Sequence, residues 1–402
     1  MPPGSEFGLA NLPYGIFSDG AASAGAAPDG DAPRVGVRIG DAVLDLARAL
    51  ADDVFAEPSL NAFMAQGPAR WSEVRALITE LLTGEQHRSA VEAAVRPLSA
   101  VRLHLPFTPG DYVDFFGNEY HAANAGRIFR PDGEALTPNW KHMPIGYHGR
   151  SGTIVPSGTP VPRPCGQRRG SGGPTFGPCR RLDFEAEVGF VVGAGSPGPV
   201  PVSEFADHVF GVFLLNDWSA RDLQAWESQP LGPFLAKSFA TSVSPWVVPL
   251  EALEHAWVSP PPRDPEPLPY LADADPQSPQ GLDLALEVRL NGHLVARPPY
   301  AGTYWTAAQM LAHMTVNGAS VRTGDLFASG TVSGPERDQR GCLLELSWGG
   351  AEPLTLPDGS VRSFLEDGDE VTISATAPAA GGARIGFGEV TGQIQRAAGS
   401  EG

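Results

Sequence analysis

Two glutamates in the segment LDFEAEVGFVV (residues 182–192) are the first side chains whose type and spacing could do chemistry. If this segment is a strand, its alternating pattern places Glu185 and Glu187 on one face and the apolar residues on the other. Paired carboxylates on one face can bind a hard divalent cation. Adjacent glutamates are also common on solvated strand faces, so this segment alone leaves both interpretations open.

A third acidic position follows the apolar run HVFGVFLLN, where Asp217 precedes the helical pattern SARDLQAWE. We expect Asp217 to cap that helix, which would project Arg221 and Gln224 from the same face. An N-cap aspartate with an i,i+4 ion pair is the purely structural alternative. A capping aspartate can also serve as a metal ligand, so the two interpretations are compatible.

The segment GDYVDFFGNEYHAANAGRIFR adds Asp114 and His121, which lie among aromatic and small residues and not in a charged surface run. Together, Asp114, Glu185, Glu187 and Asp217 would form an all-oxygen site. Such a site suits Mg2+ or Ca2+ and does not suit zinc, which prefers histidine and cysteine. The joint occurrence of these residues favours a metal site over four separate structural acids.

Further polar side chains in other segments could contact a substrate or a developing charge. They are Arg130, Tyr147, Lys237, Thr241, Thr331 and Glu345. The segment GPFLAKS that contains Lys237 lacks the glycine spacing of a phosphate loop, so it does not indicate a nucleotide site.

The overall composition excludes several classes of partner. The 402-residue chain has 46 Asp+Glu against 28 Lys+Arg, a formal charge of −18 at pH 7, which repels nucleic acid and anionic membranes. A site for an anionic substrate must therefore reverse this field with a metal ion or a cluster of Arg and Lys. Three cysteines without a CxxC pair indicate neither a disulfide framework nor a zinc site. The absence of a leader pattern and of a long apolar stretch predicts a cytoplasmic enzyme.

The elements that must position these side chains are mostly strands. Alternation in RVGVRIGDAVLDL and in LDLALEVRLNGHLVARP predicts strands, the latter pair joined by a tight turn at Asn291-Gly292. Helical spacing from Ser59 to Val95, broken near Gly84, predicts two or three helices. The proline-containing stretch at residues 103–112 resembles a boundary, so we predict a mainly β fold with some α in two domains, residues 1–106 and 107–402.

Several of these segments resemble the fumarylacetoacetate hydrolase family over nearly the whole chain. The first domain is similar in NLPYGIFS and RVGVRIGDAVLDL, and the second in GDYVDFF, LDFEAEVGF, GDLFASGTVSG and LELSWGG. The long segment NDWSARDLQAWESQPLGPFLAKSFATSVSPWVVP is highly specific, whereas a bare ExE would match countless proteins. The resemblance implies a small SH3-like N-terminal domain with helices, a β-roll catalytic domain, a homodimer, and metal-dependent hydrolysis of a carbon-carbon bond in a β-diketo acid.

The resemblance also implies a role for each candidate residue. The ligands of the divalent cation, Mg2+ or Ca2+, correspond to Asp114, Glu185, Glu187 and Asp217. A second ion position corresponds to Lys237 and Thr241. The general base and the carboxylate that orients it correspond to His121 and Glu345. The groups around the developing oxyanion correspond to Arg221, Gln224 and Lys237. The substrate-binding positions correspond to Phe116, Arg130, Tyr147, Gln224, Ser228 and Thr331.

Three positions depart from the animal members of the family. Phe116 and Ser228 stand where those enzymes have tyrosine, and Ala240 stands where they have glycine. Two phenolic hydroxyls that would hold the substrate are therefore missing. Acylpyruvate hydrolysis, and the decarboxylase, hydratase and isomerase activities of the superfamily, stay open as alternatives.

Two other classes of function could also use clustered carboxylates. Metal-dependent phosphoryl transfer is one, but it gives no role to His121 paired with Glu345. A non-catalytic, metal-stabilised binding protein is the other, and it would need neither that pair nor Lys237. We therefore predict a hydrolase of a small-molecule substrate.

Overall fold

The computed structural model describes residues 5–20, 32–272 and 280–398. Residues 1–4 and 21–31 of the predicted first domain, and residues 273–279 and 399–402 of the second, lie outside the described residues. The described residues are mainly strands with some helices, as the sequence predicts.

Nine α-helices lie in the described part of the chain: α1 (Leu46–Leu50), α2 (Asn61–Met64), α3 (Pro68–Thr83), α4 (Arg88–Ala94), α5 (Glu119–Phe129), α6 (Phe205–His208), α7 (Arg221–Glu227), α8 (Ala307–Thr315) and α9 (Leu343–Leu346). None of the helices in these residues combines the length and apolarity needed to cross a bilayer.

The strands up to the middle of the described chain are β1 (Tyr14–Asp19), β2 (Arg34–Ile39), β3 (Ala42–Asp45), β4 (Val95–Pro97), β5 (Val101–Leu103), β6 (Tyr112–Phe115), β7 (Gly146–His148), β8 (Ile154–Pro156), β9 (Val161–Pro162), β10 (Cys165–Arg168), β11 (Thr175–Pro178), β12 (Leu182–Asp183), β13 (Ala186–Val192), β14 (Val209–Asp217) and β15 (Ser219–Ala220). The remaining strands are β16 (Thr241–Val243), β17 (Trp246–Pro249), β18 (Trp257–Val258), β19 (Gly281–Leu282), β20 (Ala285–Leu290), β21 (His293–Ala296), β22 (Leu326–Ala328), β23 (Leu354–Thr355), β24 (Val361–Arg362), β25 (Glu370–Pro378) and β26 (Arg384–Gln395).

The N-terminal part is a small sheet covered by helices. Strands β4, β3, β2 and β1 are neighbours in that order, and β2 turns into β3 at Gly40, whose φ of 57° suits glycine. Helices α2, α3 and α4 occupy the segment with helical spacing, and α3 ends where the sequence predicts, with Gly84 as its C-cap. The prediction of two or three helices is confirmed.

The same sheet continues through β17, β14, β13, β22, β6 and β7. Strands β13 and β14 are antiparallel, with Ala186 opposite Asn216, and every residue of both strands is buried. Strand β22 pairs antiparallel with β13 and parallel with β6, where Ala328 lies opposite Asp114. This pairing brings the start of β13 and the carboxyl ends of β14 and β6 together.

A second sheet has the strand order β21, β20, β25, β26 and β9. Its first two strands form the predicted hairpin, because both turn residues have positive φ, 51° at Asn291 and 78° at Gly292. The apolar residues that alternate along this segment are all buried: Leu282, Leu284, Leu286, Val288 and Leu290.

The N-terminal strands share both hydrogen bonds and a core with the rest of the chain. Strand β1 pairs with β17, with Tyr14 opposite Val247. The ring of Phe210 on β14 lies 5.5, 5.7 and 5.3 Å from the rings of Tyr14, Phe63 and Trp71. The predicted domain boundary at residues 106 and 107 stays a prediction, and the apolar packing crosses it.

Candidate active site

Four carboxylates meet where β6, β13 and β14 converge. Asp114, Glu185, Glu187 and Asp217 are all buried, and each offers one oxygen within 4.8 Å of the others. The strand alternation explains the pair of glutamates, since the intervening Ala186 points into the apolar core. The four predicted metal ligands therefore lie together.

Asp217 reaches this cluster from a strand and not from a helix cap. It is the last residue of β14, and helix α7 begins at Arg221 with Ala220 at its N-cap. The prediction that Asp217 caps the helix is wrong, because the short strand β15 intervenes and pairs with β12. The helix still delivers Arg221 and Gln224 to the site.

The cluster leaves several oxygens without a protein partner. Asp114 Oδ1, both carboxylate oxygens of Glu187 and Asp217 Oδ1 are buried and accept no hydrogen bond from the described residues. Burial, together with the neighbouring carboxylates, raises the pKa of Asp114 and of Glu187 well above the ordinary value. Unpartnered buried carboxylates are costly, and a divalent cation would relieve that cost, so the residues present fit such an ion.

Lys237 supplies a positive charge directly on this cluster. Its Nζ donates to Glu185 Oε2 and to Asp217 Oδ2, both at 2.6 Å. Burial alone would lower the pKa of Lys237, but Asp217 and Glu185 outweigh it and the pKa is raised. Thr241 is the main-chain partner of Asp217 across β14 and β16, so the two residues of the predicted second ion position are adjacent to the cluster.

Arg221 joins the carboxylate cluster to helix α7. Its Nη1 lies 2.7 Å from Glu185 Oε1 and donates to Gln224 Oε1 at 3.1 Å, while Nε donates to Asp183 Oδ2 at 2.9 Å. Burial would raise the pKa of Glu185, but Lys237 and Arg221 together hold it well below its usual range. Arg221 Nη2 is buried without a hydrogen-bond partner among the described residues and is free to donate to a substrate.

His121 and Glu345 form a buried pair beside the cluster. Asn118 caps α5 by accepting the His121 N–H at 3.0 Å, and His121 Nδ1 lies 2.6 Å from Glu345 Oε2. Burial alone would raise the pKa of Glu345, but the charge and hydrogen bond of His121 outweigh burial. The pKa of Glu345 is therefore lowered, and the carboxylate stays ionised. With Nδ1 engaged, His121 has Nε2 left for a substrate or water.

Most of the predicted residues line one cavity of about 1550 Å³. Those in its wall are Asp114, Phe116, His121, Arg130, Tyr147, Glu185, Arg221, Gln224, Ser228, Lys237 and Thr331. Those buried behind the wall are Glu187, Asp217, Thr241 and Glu345. The structure therefore brings all the predicted site residues to a single region.

The predicted substrate contacts have different surroundings. Tyr147 donates its hydroxyl to Asp217 Oδ2 at 3.3 Å, and the hydroxyl of Thr331 is buried without a partner among the described residues. The ring of Phe116 lies edge-on to the His121 ring at 5.3 Å. Ser228 donates its hydroxyl back to the main chain of its own helix.

Sequence reasoning missed three polar residues that support this site. Asp183 accepts from Arg221, and Asn124 and Ser333 donate to Glu345 at 2.9 and 2.8 Å. Asp183 continues the alternation of Glu185 and Glu187, so a signal for it was present. Asn124 lies three residues after His121 on α5, which also could have indicated it.

The outer part of the cavity is rich in arginine. Arginines that line it besides Arg221 are Arg130, Arg168, Arg169, Arg180 and Arg181. They give local positive charge to a chain of net charge −18, as the sequence requires for an anionic substrate.

Two family models match the chain in succession. The model described as Fumarylacetoacetase N-terminal matches residues 10–106, and the one described as Fumarylacetoacetate (FAA) hydrolase C-terminal matches residues 112–395. This chain belongs to the fumarylacetoacetate hydrolase family. It is accordingly a hydrolase.

Curated relatives are similar from end to end. The fumarylacetoacetase of Caenorhabditis elegans is 46% identical over 423 aligned residues, which cover 98% of this chain and 97% of that protein. The fumarylacetoacetase of Homo sapiens is 44% identical over 416 aligned residues, which cover 97% of this chain and 96% of that protein.

Solved structures are similar in fold. The fumarylacetoacetate hydrolase of Exiguobacterium antarcticum has a TM-score of 0.54 at 17% identity, covering 95% of this chain and 99% of that one. The 2-hydroxyhepta-2,4-diene-1,7-dioate isomerase of Mycobacterium marinum has a TM-score of 0.50 at 18% identity, covering 96% and 98%.

Proposed function

We propose that this hydrolase cleaves 4-fumarylacetoacetate with water to give fumarate and acetoacetate. The observation that carries the proposal is the His121–Glu345 pair, 2.6 Å apart, on the same cavity as the carboxylate cluster, Lys237 and Arg221. The relatives named fumarylacetoacetase support the choice of substrate, because they are more than 40% identical over nearly the whole chain.

His121 begins the reaction as a general base. Its Nε2 accepts a proton from water, whose oxygen attacks the carbonyl carbon of the fumaryl group. Glu345 holds the ring through Nδ1 and stabilises the imidazolium that forms. A group this deeply buried needs such a partner to carry charge.

The oxyanion that results needs hydrogen-bond donors placed in advance. Arg221 Nη2 is a free buried donor, and Gln224 and Lys237 add an amide and an ammonium group in the same cavity. Collapse of the tetrahedral carbon breaks the carbon-carbon bond and leaves the electron pair on the acetoacetate carbon. The imidazolium of His121 returns its proton to that carbon, and the new fumaryl carboxylic acid ionises.

Asp114, Glu185, Glu187 and Asp217 would hold Mg2+ or Ca2+, since all their donor atoms are oxygens. Such an ion supplies Lewis-acid stabilisation of negative charge on the substrate oxygens. Lys237 adds a fixed positive charge beside the same carboxylates, and it lies with Thr241 at the proposed second ion position.

The outer cavity would bind the two carboxylates of the substrate. Arg130 would bind at the outer end, whereas Tyr147, bonded to Asp217, and the buried Thr331 would contact the substrate nearer the carboxylate cluster. Gln224 would serve both substrate and oxyanion. Phe116 and Ser228 supply no phenolic hydroxyl, so arginine side chains carry more of this recognition.

We also propose that the protein is a cytoplasmic homodimer that acts in the last step of tyrosine and phenylalanine catabolism.

Two measurements test the proposal: the identity of the reaction products and the turnover of one variant. Nuclear magnetic resonance should show equal amounts of fumarate and acetoacetate from the wild type. His121→Ala should lower kcat by about 10²–10⁴-fold and leave the content of Mg2+ or Ca2+ unchanged, because His121 is not among the proposed ligands of that cation.

Asp217→Ala serves as the matched control, since it should lose bound metal together with activity. Near-normal turnover by His121→Ala would remove the assignment of the base. Cleavage of acylpyruvates without cleavage of fumarylacetoacetate would move the function to the alternative substrate class.

A further inference from the structure

A second group of metal-binding side chains lies next to the carboxylate cluster, and its donors are of different chemical types. His121, Cys342 and Glu345 are buried, and each offers one ligand atom within 4.8 Å of the others. Cys342 Sγ lies 3.2 Å from Glu345 Oε2 and 3.9 Å from His121 Nδ1. Imidazole, thiolate and carboxylate together suit zinc and do not suit Mg2+ or Ca2+.

We propose that His121, Cys342 and Glu345 form an inhibitory site for a borderline-soft divalent cation such as Zn2+. Zinc bonds of about 2.0–2.3 Å in a tetrahedral arrangement place ligand atoms about 3.2–3.6 Å apart. Two of the three separations in this group already lie near that range. Only the 2.6 Å contact between His121 and Glu345 has to widen substantially.

The surrounding hydrogen bonds already orient the carboxylate as a ligand. Ser333 donates to Glu345 Oε2 at 2.8 Å, and Asn124 donates to Oε1 at 2.9 Å. Neither bond uses the thiol of Cys342 or the ring of His121, so both can persist when a metal binds. Hydrogen bonds of this kind to a metal-binding carboxylate strengthen metal sites.

Zinc at this position would remove the base from the proposed reaction. The Cys342 thiol loses its proton to solvent, and zinc takes the lone pair of His121 Nδ1. The neutral imidazole then carries its proton on Nε2, the nitrogen that must accept a proton from water. Binding of the metal does not depend on the proposed function, whereas the inhibition rests on it.

Cobalt provides a test that does not depend on activity. Co2+ added to the full-length, Mg2+-loaded protein should produce a near-ultraviolet thiolate-to-cobalt charge-transfer band. Cys342→Ser should abolish the band, and Cys342→Ala provides a second variant if the serine variant does not fold. Cys165→Ser and Cys179→Ser are the matched controls, because Cys165 is exposed and Cys179 bonds to Asp222 instead.

Zinc titration of the reaction then tests the inhibition. With Mg2+ at saturation, Cys342→Ser should need about tenfold or more zinc for half-inhibition than the wild type, each relative to its own zinc-free rate. Absence of the cobalt band in the wild type would overturn the site. Equal zinc sensitivity of wild type and Cys342→Ser would also overturn it, since zinc would then act at the carboxylate cluster. A cobalt band in a protein that does not cleave fumarylacetoacetate would uphold the site and reject the proposed function.

Discussion

Asp183 is fully buried and accepts hydrogen bonds from two sides of the candidate site. On one side it accepts from Arg221 Nε at 2.9 Å. On the other it accepts from the backbone N–H groups of Leu343 and Leu344, at 2.7 and 2.9 Å, at the start of the helix that carries Glu345. One carboxylate thus fixes the proposed oxyanion donor and the partner of the proposed base in a common frame.

Asp183→Asn should damage both stability and turnover. The amide removes one of the two carboxylates that pair with the buried Arg221, the other being Glu185. Losing one partner of a buried ion pair costs at most about 3–5 kcal/mol. Thermal unfolding and kcat measure the two effects. Asp325→Asn is the matched control, because Asp325 is also buried and bonds an arginine, Arg322, but lies outside the cavity.

The control should lower Tm and leave kcat near the wild-type value, whereas Asp183→Asn should lower both. A normal kcat in folded Asp183→Asn would contradict the positioning role.

The residues of the site differ in how far the sequence could predict them. Alternation alone placed Glu185 and Glu187 on one face, because the strand pleat fixes side-chain direction. The pairing of His121 with Glu345 crosses 224 positions, so no local pattern could show it, and only the resemblance to the family indicated it. Cys342, which lies three residues before Glu345, belongs to the same buried group as His121 and Glu345 and was not predicted.

Gly330 controls how closely two elements approach at the site. It follows β22 with a φ of 77°, and a Cβ there would meet the main-chain carbonyl of Phe115 on β6. Gly330, the following Thr331 and Phe116 all line the cavity. A left-handed backbone and a backbone neighbour together leave room for glycine alone.

Gly330→Ala should therefore lower the free energy of unfolding by more than backbone strain alone explains. Gly292→Ala is the matched control, because Gly292 has a φ of 78° and no described atom would lie within 4 Å of a methyl group added there. The control should lose about 1 kcal/mol of stability from strain. Equal losses in the two variants, measured by chemical denaturation, would show that the contact with Phe115 is unimportant.

Helices and strands were predicted best where the residues of the segment itself determine them. The Asn291-Gly292 hairpin and the helices before and after Gly84 follow from turn chemistry and apolar spacing. The cap at Asp217 was wrong because β14 extends through Asp217 and β15 follows, and that pairing is set by β12 and β16, which lie elsewhere in the chain. Tertiary pairing there overrides the local helix signal.

One of the two large sheets in the described residues runs from the N-terminal strands into the strands that carry the carboxylate cluster, and apolar packing accompanies it. Because β1 pairs with β17 and Phe210 contacts three aromatic rings of the N-terminal part, residues on both sides of position 106 bury surface together. Chain length and composition could predict two domain-sized parts but not this junction. Local patterns carry no information about it, since the pairing joins strands that lie far apart in the chain.

We expect the full chain to unfold in a single cooperative transition. Separation of the N-terminal part would expose the shared aromatic cluster, which makes a half-folded state unfavourable. Differential scanning calorimetry measures this and should show one transition for the whole chain. Two resolved transitions would show that the parts fold independently.

The carboxylate cluster is proposed to bind a cation on which cleavage of fumarylacetoacetate depends. The most direct measurement is the loss of fumarylacetoacetate absorbance with purified protein, before chelation, after chelation, and after Mg2+ or Ca2+ is restored. We predict that chelation abolishes the loss and that the cation restores it in the wild type but not in Glu187→Gln. Unchanged cleavage by the fully chelated protein, or no cleavage with bound metal, would contradict this dependence.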